Sequence, residues 1–183
     1  MNRTINDSQI KNLAKEYREA IVCARDNDLF AKDFRFYKFP RGCCGDVSYL
    51  LAEYLQRNGI ETIWYSGKQG DWSHAWLVVK DYRVKKPSLR TFACSEEKSI
   101  EIAGDIETWI DKKTDIIEYE ANDLLDGLII DITADQFESY DIPVYVGCID
   151  TFHKAFEFTQ AHNYDGLVDD RLVKLYQIIE SCL

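Results

Sequence analysis

The chain has 183 residues, 46% of them hydrophobic and 30% charged, with 9 Gly and 3 Pro. This excludes a disordered, fibrous or linker-rich chain, and the length predicts one domain, residues 1–183, with a core built without disulfides. Acidic residues outnumber basic ones 32 to 22, and the resulting charge of −10 repels phosphate backbones, so no nucleic-acid partner is expected.

A first helix is predicted over residues 8–24. Asp7 or Ser8 can cap it, and Ile10, Leu13, Tyr17, Ile21 and Ala24 form one apolar stripe. A loop rich in phenylalanine and charge, residues 26–41, leads to a second helix starting near Cys44. Val47, Leu50, Leu51, Tyr54 and Leu55 have the spacing of a buried helical face, and Gly59 is expected to end the helix in a left-handed conformation. Strands are expected over residues 61–66, 73–84, 128–133 and 143–147. A helix around residues 99–111 and an acidic stretch, 118–126, separate the second strand from the third. Two more helices are expected near the C-terminus, the last over residues 168–182 with Val168, Leu172, Leu175, Tyr176 and Ile179 on one face. Clustered strands flanked by helices predict an α+β fold with a mainly antiparallel sheet.

No apolar run approaches the ~18 residues that span a bilayer, so no membrane partner is expected. The N-terminal residues MNRTINDSQIKN lack the apolar stretch of a secretory signal. Six cysteines (23, 43, 44, 94, 148 and 182) then predict reduced thiols in a cytoplasmic protein. They contain no C-x-x-C pair, so no metal site and no cofactor are expected. The basic stretch Arg83, Lys85, Lys86 and Arg90 is too short and too poor in aromatics to reverse the overall charge.

Three residues can carry chemistry. Cys44 lies in Gly42-Cys43-Cys44-Gly45-Asp46, where the second helix begins. Unsatisfied N–H groups and the positive end of the helix dipole stabilise a thiolate there, although the Asp46 charge opposes it. A buried structural thiol is the plainer reading of any single cysteine. Cys43 is the alternative nucleophile, a redox partner or a core residue. His74 opens a strand in Ser73-His74-Ala75-Trp76, from which its ring can project outward. Asp131 interrupts the apolar strand Ile129-Ile130-Asp131-Ile132-Thr133, where an acid is costly unless paired. A histidine N–H is the obvious partner, and the carboxylate would fix the ring's tautomer as in a catalytic triad.

Taken in order, Gly42-x-Cys44, the apolar helix to Gly59-Ile60, His74-Ala75-Trp76 and Asp131-x-Thr133 resemble the core motifs of the transglutaminase-like superfamily. That superfamily falls within the papain-like fold of cysteine enzymes, and the likeness spans roughly residues 39–147. The resemblance implies a cysteine hydrolase or acyltransferase with Cys44 as nucleophile, His74 as base and Asp131 as orienting carboxylate. Its substrate would be a protein, peptide or small amide, attacked to give a thioester. A catalytically inactive binding module of the same fold is the alternative. The chain departs from the family at residues 85–126, an insertion read as a lid, and in lacking a glutamine shortly before the cysteine. Besides the Cys44 backbone N–H, Gln69 and Trp72 are the candidate oxyanion donors. Nothing in the sequence fixes the oligomeric state.

Overall fold

The computed structural model describes residues 6–30, 33–80, 82 and 127–183. The helix expected around 99–111 and the lid expected over 85–126 lie outside the described residues.

The first helix, α1 (Asp7–Asp26), is capped by Asn6, whose side chain accepts the Gln9 N–H at 2.8 Å. It thus starts before the expected capping residues. Its buried residues Ile10, Ala14, Tyr17, Ala20, Ile21 and Ala24 form the inner stripe. After a single 3-10 turn (Phe36–Lys38) comes α2 (Cys44–Arg57), which buries Val47, Leu50, Leu51 and Leu55 and is followed by Gly59 at φ +78°. Each buried leucine or valine contributes about 1.5–3 kcal/mol relative to leaving it in water.

Strands β1 (Thr62–Gln69) and β2 (Trp72–Val79) form a hairpin joined by Gly70 and Asp71. The first strand runs further than expected and the second stops earlier. Next come β3 (Ile129–Asp131), a 3-10 turn (Ala134–Gln136), β4 (Tyr145–Gly147) and the one-turn helix α3 (Thr151–Lys154). The chain ends with β5 (Glu157–Asn163) and α4 (Asp170–Glu180). Among the described residues the fold is therefore α+β, with four helices and one five-stranded sheet in the order β4-β3-β2-β1-β5, every pair antiparallel. None of these helices is long and apolar enough to cross a membrane.

Strand β5 corrects the expectation of helices alone in the C-terminal part. It is an edge strand with an exposed, largely polar sequence, EFTQAHN, so it lacks the apolar run that marks a strand. Val168 is another correction: it is 90% exposed, because Asp169 caps α4 and the helix begins after it.

The alternation of β2 and β3 divides the core. Leu77 and Ile130 join α1, α2 and α4 in the larger cluster. Trp76, Val78 and Ile129 face the other way and pack with Ile63, Tyr65 and Phe156. Strand β3 pairs with β2 only at Leu77 and Val78. Beyond that point the two strands part, and the gap lies beside the start of α2.

Gly67 is where the backbones come closest. A Cβ there would sit 2.7 Å from the Phe156 Cβ and 3.0 Å from the Glu157 carbonyl oxygen, at a bulge between β1 and β5. At Gly45, in the first turn of α2, the nearest atom would be 3.8 Å away on Trp64. Gly67→Ala is therefore expected to cost about 1–3 kcal/mol through overpacking. Gly45→Ala should stay within about 1 kcal/mol of wild type or stabilise the helix. Urea midpoints measure both, and equal midpoints for the two variants would contradict the close approach.

Candidate active site

Cys44 is the first residue of α2, and Cys43 is its N-cap. The turn before them depends on Gly42, which adopts φ +72°, a conformation that costs an L side chain energy. Consecutive residues at a helix start point about 100° apart, so the two sulfurs have different surroundings. Cys43 is buried, with its Sγ 3.4 Å from the Pro40 carbonyl oxygen. Cys44 keeps partial exposure.

His74 is the third residue of β2, and only 1% of it is exposed. The expectation that its ring projects outward is therefore corrected. His74 lies on the same strand face as Trp76, and Phe137, Phe152 and Phe156 surround it. Asp131 ends β3, an inner strand, and is also only 1% exposed. The burial predicted for it follows from the apolar flanks that pull the strand inside.

The three residues meet. His74 Nε2 lies 2.6 Å from Asp131 Oδ2. An ionised carboxylate only accepts hydrogen bonds, so Nε2 carries the proton and Nδ1 is left to face the cysteine side. The Cys44 thiol lies beside His74 and the Ala75 backbone N–H, in the gap where β2 has left β3.

The electrostatics follow from these contacts. Burial pushes the Cys44 thiol up, but the hydrogen bond and charge of His74, with the Ala75 N–H and the Gln136 amide, outweigh it and leave the thiol below its ordinary range. Burial pulls His74 down, and the Asp131 charge and hydrogen bond, with help from Cys44, raise it to about 9. Burial pushes Asp131 up, and the two histidines beside it bring its carboxyl well below the usual range. Cys43 goes the other way: burial, then the charges of Cys44, Asp46 and Asp33, push it well above an ordinary thiol.

Asp46 was expected to oppose the thiolate. Its Oδ2 instead lies 2.9 Å from Arg171 Nη2 and 3.3 Å from Arg35 Nη1. Arg171 also donates from Nε to Asp33 Oδ2 at 2.7 Å. Two arginines thus offset the acidic charge near the start of α2, and Arg171 ties α4 to the loop ahead of Cys44.

Two residues that the sequence did not single out belong to the site. Gln136, at the end of the 3-10 turn after β3, places Nε2 3.1 Å from His74 Nδ1 and accepts the Gly42 N–H on Oε1 at 3.2 Å. The buried His153, on α3, bridges two carboxylates: Nε2 is 3.2 Å from Asp131 Oδ2 and Nδ1 is 2.6 Å from Asp150 Oδ1. Its only local signal is Asp150, the N-cap three residues earlier. Nothing near Gln136 in the sequence marks it. His162, the remaining histidine, lies in β5, stacks on Trp64 and bonds the Tyr49 hydroxyl, apart from this network. Gln69 and Trp72 close the hairpin, where Trp72 is 68% exposed. Among the described residues no cluster of His, Cys, Asp and Glu is arranged to hold a metal ion.

Two pH effects follow. Asp131 is held low, so its contribution to stability is present above the unfolded-state value of about 3.9 and is lost as pH falls through the folded one. His74 is raised to about 9, so its contribution is present below the ordinary histidine range and is lost as pH rises through that value. Asp131→Asn should flatten the acid side of a plot of urea midpoint against pH. The same variant should move the alkylation of Cys44 by iodoacetamide to higher pH, because His74 loses the charge that sustains it. An unchanged alkylation profile would show that Asp131 does not act on the sulfur through His74.

Comparison of the chain with protein-family models, curated proteins and solved structures found no match in any of the three.

Proposed function

We propose that this protein is a cysteine-dependent hydrolase or acyltransferase acting on an amide, built on a papain-like core of the transglutaminase-like type. The observation that carries the reading is one run of neighbours: Cys44 at the N-terminus of α2, beside His74, whose Nε2 meets the buried Asp131 at 2.6 Å. A helix bearing the cysteine against an antiparallel sheet, with His and Asp on adjacent strands, supports the papain-like core.

The chemistry follows from the geometry. His74 Nδ1 already holds the Cys44 proton, and a lone pair of the thiolate forms a bond to the acyl carbon as the carbonyl π pair moves onto oxygen. Collapse of that tetrahedral intermediate breaks the C–N bond, and the departing amine takes the proton from His74. The product is a thioester on Cys44. Water activated by His74 then releases the acid, giving peptidase, amidase or deamidase activity; an amine in its place gives transfer. Asp131 holds the ring in one tautomer and stabilises the imidazolium in each step. The substrate is a protein, peptide or small amide.

p-Nitrophenyl acetate tests this as a generic acyl donor. Wild-type protein should release a burst of nitrophenolate and carry an acetyl group on Cys44 by intact mass and peptide mapping. Cys44→Ala should lose both while keeping its fold, since it removes a partly exposed sulfur and little packing. Cys43→Ala should keep the chemistry and cost about 1–2 kcal/mol of stability from the emptied buried site. Bursts in both variants would remove cysteine catalysis from this site, and a burst lost only in a folded Cys43→Ala would assign it to the other sulfur.

A further inference from the structure

We infer that Gln136 is the side-chain donor of the oxyanion hole, its Nε2 amide binding the carbonyl oxygen that becomes negative when Cys44 attacks. This rests on the acyl-transfer reading above and adds a residue to it. The orientation of the amide is fixed by chemistry. Its Oε1 accepts the Gly42 N–H at 3.2 Å, and only oxygen can meet an N–H donor there. Nε2 therefore turns toward the site, 3.1 Å from His74 Nδ1 and beside the Cys44 thiol. One N–H₂ group thus borders both the base and the sulfur. The Cys44 backbone N–H, in the first turn of α2 and so without an intrahelical partner, supplies the second donor.

The timing of charge favours this role. With His74 raised to about 9, Nδ1 holds its proton at neutral pH and does not accept from Gln136, which leaves the Cys44 sulfur as the resting partner of the amide. Once the C–S bond forms, the sulfur has given its electron pair to carbon, and the negative charge has moved to the adjacent carbonyl oxygen. That resting partner weakens at the moment the oxyanion appears next to it. The interaction is then stronger in the transition state than in the ground state, which is the condition for lowering the barrier. The anchor on Gly42 keeps the amide in place without reorganisation. Gln69 and Trp72, the candidates from sequence, pair beside the hairpin turn, with Trp72 resting edge-on against Phe137.

Two reactions at the same sulfur test the assignment. Acylation by p-nitrophenyl acetate passes through an oxyanion; displacement by iodoacetamide does not. Gln136→Ala should slow acylation about 10²–10³-fold. Alkylation, compared at a pH where Cys44 is fully ionised, should change no more than a few-fold. Gln136→Met, which keeps the side chain's length without a donor, should give the same split and serves if the alanine variant unfolds. Equal losses in both reactions would overturn the oxyanion role and leave Gln136 as a support for the thiolate. Unchanged acylation in either folded variant would overturn it outright. A wild-type protein that is alkylated but never acylated would instead overturn the acyl-transfer reading, and this inference with it.

Discussion

The site depends on one buried negative charge. Taking a carboxylate out of water costs several kcal/mol, and a protein keeps it charged only by surrounding it with donors. Asp131 has four: His74 and His153 on Oδ2, and the Thr133 N–H and hydroxyl on Oδ1, at 2.8 and 3.1 Å. Those donors come from β2, from α3 and from the residues just after β3. Satisfying one charge therefore fixes the relation between three parts of the chain. It also fixes the tautomer of His74 and hence which ring nitrogen faces the cysteine.

The second constraint is the parting of β2 from β3. A continued ladder would hydrogen-bond the strand edge beyond Leu77 and leave no room for a side chain. The register between the two strands runs no further than Leu77 in that direction, and the Ala75 N–H stands beside the Cys44 sulfur. The start of α2 is held at this gap by Ser48, whose hydroxyl reaches the Ala75 carbonyl at 3.2 Å, and by the buried face packed on the sheet. The strand edge thus brings a backbone donor to a sulfur carried on the first residue of a helix. Cys43, one residue earlier, is turned into the core and meets only a backbone carbonyl. The two neighbours are pushed in opposite directions by the same fold.

Around the network, aromatic rings exclude water. Phe137, Phe152 and Phe156 pack on His74, and Trp76 and Tyr145 pack on His153. A low local dielectric strengthens the histidine–carboxylate attraction and makes any unpaired member costly. This explains why the Asp150 carboxylate meets both the backbone N–H and the ring Nδ1 of His153, and why Tyr140 in turn donates to Asp150 at 2.7 Å.

The sequence by itself determined α1, α2, the β2 core and the last helix, because apolar spacing along a continuous segment reports which face is buried. It also determined Cys44 at a helix start, from the flanking glycines and the register of Val47, Leu50 and Leu51. Asp131 was legible as a buried acid from its apolar flanks. Other features were decided only by the tertiary structure. Strand β5 forms because β1 offers an edge to pair with, which no pattern in its own polar residues announces. Val168 reads as part of an apolar helical face, yet the Asp169 cap sets the start of α4 beyond it. The Asp46 charge, read alone, counts against a thiolate; arginines distant in sequence offset it. Gln136 and His153 are ordinary polar residues of short turns in the sequence. Their place beside His74 and Asp131 comes from where β3 ends and how the following chain folds back, a three-dimensional relation that local residue spacing does not encode.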